Sequence, residues 1–327
     1  MGLKDKTIVI TGGSRGLGLG LVKALVDQGA KVTVVARGAD ALGSVSARLG
    51  VATIAADVAD ETAAHRIIAE VRPDILVLNA GAKPRMGRFD QVTWADFTAT
   101  WDTDVKAGLY WLQAALKVPL KPGSRVLVGS SGAAVNGSPM SGGYAGAKRM
   151  LWIMAKYANG VSAEKGLGIC FQVIVPLQII GGTGVGDAGA IAYAHAMGME
   201  PEQFLARFGA PLPPREFGEK VVSLLDDPKL PGASPSVLRA TPGSRSSRER
   251  HLEPIFAIQR AANATPGTVL SARRTATAGA SPLLRAAYGL GDRRRGCGAG
   301  YFRPRFRRAR RVGGERANAR LAVPHRP

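Results

Sequence analysis

A doubly wound α/β protein, with a parallel sheet covered by helices on both faces, is the fold class that the sequence predicts. Three observations predict it. Six short, β-rich apolar runs alternate with longer stretches whose apolar residues recur at helical spacing. The runs are almost continuously apolar, which means burial on both faces and therefore parallel strands between helices. The first of them passes straight into a glycine-rich turn, "TGGSRGLG" at 11–18, and then into a helix.

The expected strands are "TIVIT" (7–11), "KVTVVA" (31–36), "VATIAA" (51–56), "DILVLN" (74–79), "RVLVGS" (125–130) and "ICFQVIV" (169–175). Between them, "LGLGLVKALVDQG", "DETAAHRIIAEV", "WADFTATWDTDVKAGLYWLQAALK" and "YAGAKRMLWIMAKYANGVSAEKG" have helical spacing, with glycines at several ends. No internal repeat interrupts the pattern. The 327 residues are 46% hydrophobic, enough to build a core.

Charge divides the chain. Residues 1–231 carry a net +4, whereas residues 232–327 carry +16, and all 20 basic residues after Lys229 are arginine. The first part is expected to be the folded domain. The second is rich in Arg, Ala, Gly, Pro and Ser without sustained periodicity. It is expected to be a largely disordered basic tail, of the composition that a GC-rich gene read out of frame would give. An arm for nucleic acid is the competing reading, since "DRRRGCGAGYFRPRFRRARR" interleaves arginine with Tyr301, Phe302 and Phe306; nucleic acid is not the expected partner.

The start, "MGLKDKTIVITGG", lacks the apolar stretch of a signal peptide, and "ICFQVIVPLQII" is short and broken by Pro176, so a cytoplasmic protein without a membrane span is expected. Cys170 and Cys297 are the only cysteines, which supports neither a disulfide framework nor a metal site.

The glycine turn between first strand and first helix is built for phosphate. Glycines allow the backbone to turn tightly and approach a pyrophosphate, while the helix N-terminus offers free N–H groups and the positive end of its dipole. Together with Asp57 after the third strand, "NAG" (79–81) after the fourth, and Ser131, Tyr144 and Lys148 in the spacing Ser-x12-Tyr-x3-Lys, this turn makes the sequence resemble the short-chain dehydrogenases/reductases over residues 5–230. The resemblance implies a single Rossmann-type domain, a nicotinamide cofactor and reversible hydride transfer between an alcohol and a carbonyl. It implies cofactor contacts from Gly12, Ser14, Arg15, Gly16, Leu17 and Gly18, from Asp57 and Val58, from Asn79, Ala80 and Gly81, and from Ile179.

Residues four apart share one helical face, so Lys148 should lie beside Tyr144. A cation there favours the phenolate over a phenol whose pKa is about 10 in water. By the family's mechanism Tyr144 would be the acid/base, Ser131 would polarise the substrate oxygen, and Lys148 would also hold the nicotinamide ribose. The small residues of "SGGYAGAK" (141–148) would leave room for cofactor and substrate. The family's fourth catalytic member is an asparagine in a pattern like Asn-Val-x-x-Gly; this chain reads "DVKAG", so Asp104 stands in its place.

Cofactor choice rests on "VVARGAD", where Ala36 and Arg37 occupy the position of the NAD-binding carboxylate and Arg15 lies in the glycine turn. NADP(H) is expected over NAD(H). After the sixth strand, "VPLQIIGGTGVG" has Leu177 for the family's glycine, and Thr183 is the nearest threonine. Residues 184–214 occupy the family's substrate lid. Trp101, Tyr110, Trp111 and Trp152 lie on the helices that family members use for oligomer contacts, which favours a homo-oligomer, with burial in the chain's own core as the competing reading; the expected substrate is a small carbonyl or alcohol. A nucleotide sensor without turnover is the alternative of a different class.

Overall fold

The computed structural model describes residues 2–177, 180–207 and 212–226, together with the backbone of Ser236–Leu238. All belong to one compact unit, Met1–Gly243. Ile179 and the chain beyond Leu238 therefore lie outside the described residues, and with them the expectation of a disordered tail.

The strands are β1 (Thr7–Thr11), β2 (Lys31–Ala36), β3 (Ala52–Ala55), β4 (Ile75–Leu78), β5 (Arg125–Gly129), β6 (Cys170–Pro176) and β7 (Ser236–Leu238). They form one sheet in the order β3-β2-β1-β4-β5-β6-β7, every neighbouring pair parallel. β7 adds a seventh strand to the six expected: Ser236, Val237 and Leu238 pair with Ile174, Val175 and Pro176. The signal is weak because three residues cannot show an alternation.

Parallel neighbours require crossovers, supplied by α1 (Gly16–Asp27), α2 (Ala39–Leu49), α3 (Glu61–Val71), α4 (Trp94–Thr98), α5 (Lys106–Lys117), α6 (Ala133–Asn136) and α7 (Tyr144–Glu164). The lid region folds as α8 (Gly184–Ala196) and α9 (Pro201–Ala206), and α10 (Pro214–Asp226) packs back on the sheet. Local chemistry sets several ends. Asp60 caps α3 by accepting from the Thr62 and Ala63 amides at 2.8 and 3.2 Å, and Gly50 ends α2 at φ +65°.

Ile8, Ile10, Val34, Val77 and Leu127 from the strands meet Leu21, Leu25, Val221 and Phe217 from α1 and α10 in the core. Each such aliphatic side chain stabilises the fold by about 1.5–3 kcal/mol when withdrawn from water. α10 sits unusually close to α1, since a Cβ on Gly20 would lie 2.0 Å from the Pro214 carbonyl oxygen. The strand order reverses between β1 and β4, so a crevice opens beyond their carboxyl ends.

The long stretch 94–117 is not one regular helix. A π-helical turn, Trp101–Val105, separates α4 from α5.

Candidate functional site

Three turns leave the sheet at this crevice: Gly12–Arg15 after β1, Asn79–Ala82 after β4, and Ser130–Gly132 after β5. Gly12 has φ +71°, and a Cβ there would lie 2.7 Å from Ala80 Cα, so glycine alone lets the first two turns touch. Buried Thr11 fastens them: its Oγ1 donates to the Val77 carbonyl (3.3 Å) and accepts from the amides of Asn79 and Ala80 (3.1 and 3.2 Å). Asn79 Nδ2 donates to the Gly12 carbonyl at 3.2 Å. Its side chain thus braces the glycine turn, a role the sequence did not indicate.

The N-terminus of α1 has neither a side-chain cap nor an acidic residue in its first turn. Its leading amides suit an anion. Arg15 at its start and Arg37 after β2 are both exposed, while Ser14, Gly16 and Leu17 are half-buried and Gly18 is buried. A Cβ on Gly18 would come within 2.2 Å of the Gly12 carbonyl oxygen, so the turn collapses onto the helix only because position 18 is bare. Asp57 is exposed, with Oδ1 accepting from the Ala59 amide at 2.9 Å, and the buried Val58 offers its carbonyl to Trp111 Nε1 at 3.0 Å. This uncapped, glycine-lined turn, with the exposed Arg15 at the helix start, suits an anion such as a phosphate.

At the other side of the crevice, Ser130 Oγ donates to the Lys148 carbonyl at 2.9 Å, which holds the strand end carrying Ser131 against the first turn of α7. Ser131 is half-buried, its Oγ accepting from the Ala133 amide at 3.2 Å. Tyr144 is buried, and Lys148 Nζ lies 5.7 Å from the centre of its ring. Lys148 in turn meets Asp104 Oδ2 at 2.9 Å in a pair whose side chains are 8% and 0% exposed. Burial would by itself push the Lys148 ammonium down; the Asp104 carboxylate, then Tyr144, more than offset it and hold the ammonium above its ordinary range.

The glycines before Tyr144 have a use beyond admitting ligands. Trp101 Nε1 donates to the Gly143 carbonyl, and a Cβ on Gly143 would lie 2.3 Å from the Phe97 carbonyl oxygen and 2.9 Å from Trp101 Nε1. Two other aromatics expected at an oligomer contact, Trp111 and Trp152, are buried in the chain's own core, the latter beneath Arg149. Thr183 caps α8, accepting from the Gly186 amide at 3.1 Å and donating to the Ile180 carbonyl at 2.7 Å. The Tyr193 hydroxyl of α8 bonds Ser138 Oγ at 2.9 Å and accepts from the Met140 amide at 3.3 Å. α8 is thereby tied to the loop joining Ser131 to Tyr144.

Among the described residues no group of three His, Cys, Asp or Glu could hold a metal ion, and no helix is long and apolar enough to cross a membrane.

A parallel sheet with this strand order and a glycine turn at its switch point defines a Rossmann-type protein. The model of the family described as short chain dehydrogenase matches residues 6–179, and the chain belongs to that family. It is 32% identical over 152 residues to the short chain dehydrogenase/reductase AacuD of Aspergillus aculeatus, covering 44% of this chain and 54% of that protein. Over 134 residues it is 34% identical to the acetoacetyl-CoA reductase of Synechocystis, covering 40% and 55%. It is also 30% identical over 182 residues to the NADPH-dependent pterin aldehyde reductase of Arabidopsis thaliana, covering 52% and 74%. The chain thus spans about half the length of the first two relatives. A solved short chain dehydrogenase/reductase family protein shares the fold, with a TM-score of 0.57 at 23% identity over 73% of this chain and 97% of that one.

Proposed function

We propose that the protein is an NADP(H)-dependent oxidoreductase that interconverts a small carbonyl and its alcohol. The observation that supports this reading is Lys148 Nζ lying 5.7 Å from the Tyr144 ring, while Ser130, next to Ser131, bonds the Lys148 carbonyl. When bound, the nicotinamide supplies or accepts the hydride. Gly12, Ser14, Gly16, Leu17 and Gly18 would hold its pyrophosphate, Arg15 and Arg37 a 2′-phosphate, Asp57 and Val58 the adenine side, Asn79, Ala80 and Gly81 the cleft wall, and Lys148 the nicotinamide ribose. Ile179 keeps its assignment by resemblance alone.

In the reducing direction Tyr144 gives its hydroxyl proton to the substrate oxygen, and in the oxidising direction it takes that proton back. Ser131 donates a hydrogen bond to the same oxygen and favours the charge that develops there. The preference for NADP(H) is supported by Arg37 standing exposed after β2 where no carboxylate is present. Exposed Leu109 on α5 and Tyr157 on α7 support a homo-oligomer.

The test is consumption of NADPH over a panel of small aldehydes and ketones, with NADH alongside. Turnover with NADPH supports the reading. Tight NADPH binding without turnover on any of them would instead make the protein a nucleotide sensor.

A further inference from the structure

We propose that Asp104 is a positioning residue that locks the Lys148 ammonium to the Gly81–Ala82 turn through a buried ion pair. The inference rests on the reading of Lys148 as cofactor ligand and partner of Tyr144.

The carboxylate divides its oxygens between two elements. Oδ1 accepts from the Ala82 amide at 2.7 Å, and Oδ2 faces Lys148 Nζ at 2.9 Å. Gly81 makes this possible, because a Cβ there would stand 2.8 Å from Oδ2. The π-helical turn that carries Asp104 is itself fixed on both sides: the Asp104 amide donates to the Thr100 carbonyl at 2.7 Å, and Trp101 reaches across to Gly143. π-helical turns recur at functional sites because they push a side chain out of helical register.

Two buried opposite charges are tolerated only together, so each residue requires the other. Oδ2 has no hydrogen-bond partner among the described residues, and its contact with Lys148 Nζ at 2.9 Å is an ion pair. An ammonium has three N–H donors and no acceptor, so beside the ion pair it can still donate to ligand hydroxyls. If asparagine at 104 kept its carbonyl on the Ala82 amide, its NH2 would face Nζ, donor against donor.

The groups acting on Nζ are few. Asp104 faces it from the π-helical turn and Tyr144 from its own helix; the Asn79–Ala82 turn contributes no titratable group, and Ser130 engages the Lys148 backbone. Removing Asp104 leaves burial to dominate, so the lysine would lose its proton at lower pH.

The experiment uses the full chain and the variants Asp104→Asn, Lys148→Met and Asp104→Ala/Lys148→Met, following kcat, KM for NADPH and the pH profile of kcat/KM. Asp104→Asn is expected to raise KM for NADPH by about tenfold, the worth of one charge-assisted bond, and to move the alkaline limb of the profile to lower pH. An unchanged alkaline limb with unchanged KM overturns the proposal. If Asp104→Asn does not fold, the double variant, which buries no unpaired charge, decides. A kcat/KM equal to that of Lys148→Met alone supports the lock, and independent, multiplying losses overturn it. Should Lys148→Met keep full turnover and NADPH affinity, the underlying reading of Lys148 fails instead, a result distinct from an Asp104→Asn variant that behaves as wild type beside an impaired Lys148→Met.

Discussion

The indole N–H of Trp101 donates to the carbonyl oxygen of Gly143 at 3.0 Å, one residue before Tyr144. The ring edge also lies 3.2 Å from where a Cβ on Gly146 would be, so the small residues flanking Tyr144 admit this indole. Trp101→Phe keeps an aromatic ring but loses the N–H and part of the indole's bulk, and should lower stability by at least about 1 kcal/mol while reducing kcat, as read by urea unfolding and steady-state assay. Gly143→Ala should be worse, because its methyl has no room beside the Phe97 carbonyl.

Tyr144→Phe removes a single oxygen from a buried ring. Proton transfer by a positioned side chain is typically worth about 10²–10⁴-fold, so turnover should fall by that order with NADPH affinity nearly unchanged, measured by fluorescence titration beside the rate. Activity within about threefold of wild type would remove Tyr144 from the chemistry.

Arg37→Asp reverses the charge at the end of β2, where a 2′-phosphate is expected. A hydrogen bond to a charged group contributes about 1.5–3 kcal/mol, so KM for NADPH should rise by at least tenfold and that for NADH should fall. Equal KM values for the two cofactors in the unmutated protein would already defeat the assignment.

Five of the six expected strands were legible as continuous buried apolar runs and four crossover helices by their buried apolar faces, while β3, with no buried residue, showed itself through its short β-rich run; α2 was not legible, since only Leu42 and Val45 of its eleven residues are buried. α10 carries a clear signal in Phe217, Val221, Val222 and Leu225 at helical spacing, with Pro214 at its start, and could have been found. The sequence spacing placed Tyr144 beside Lys148 correctly because both lie on one helix. Contacts between elements were illegible: Thr11 with Asn79, Ser130 with Lys148 and Tyr193 with Ser138 each join residues that only the sheet order brings together. The π-helical turn was hidden too, because no residue type in Trp101–Val105 marks where the extra residue enters.

Among the described residues β7 pairs only with β6, along Ile174–Pro176. Ending the chain after Pro231 removes it and leaves that edge unpaired, whereas ending after Gly243 keeps it. The shorter form should melt lower, since each lost ladder bond costs about 0.5–1.5 kcal/mol, with NADPH affinity similar in both. Equal melting temperatures would show that the seventh strand contributes nothing to the fold.

The buried pair also fixes how stability responds to alkali. The folded-state ammonium of Lys148 titrates above its ordinary value of 10.5, so below about 10.5 both folded and unfolded chains hold the proton and the stabilisation is complete. Above that pH the unfolded chain releases its proton first, and the advantage declines as pH rises toward the folded value. In Asp104→Asn the sign reverses: burial then favours the neutral amine, so the folded state binds the proton less tightly than the unfolded one. The variant should be less stable than wild type at pH 7, and the gap between their urea midpoints should narrow as pH rises. A gap that stays constant from neutral to alkaline pH would mean that the Lys148 charge is not held by Asp104.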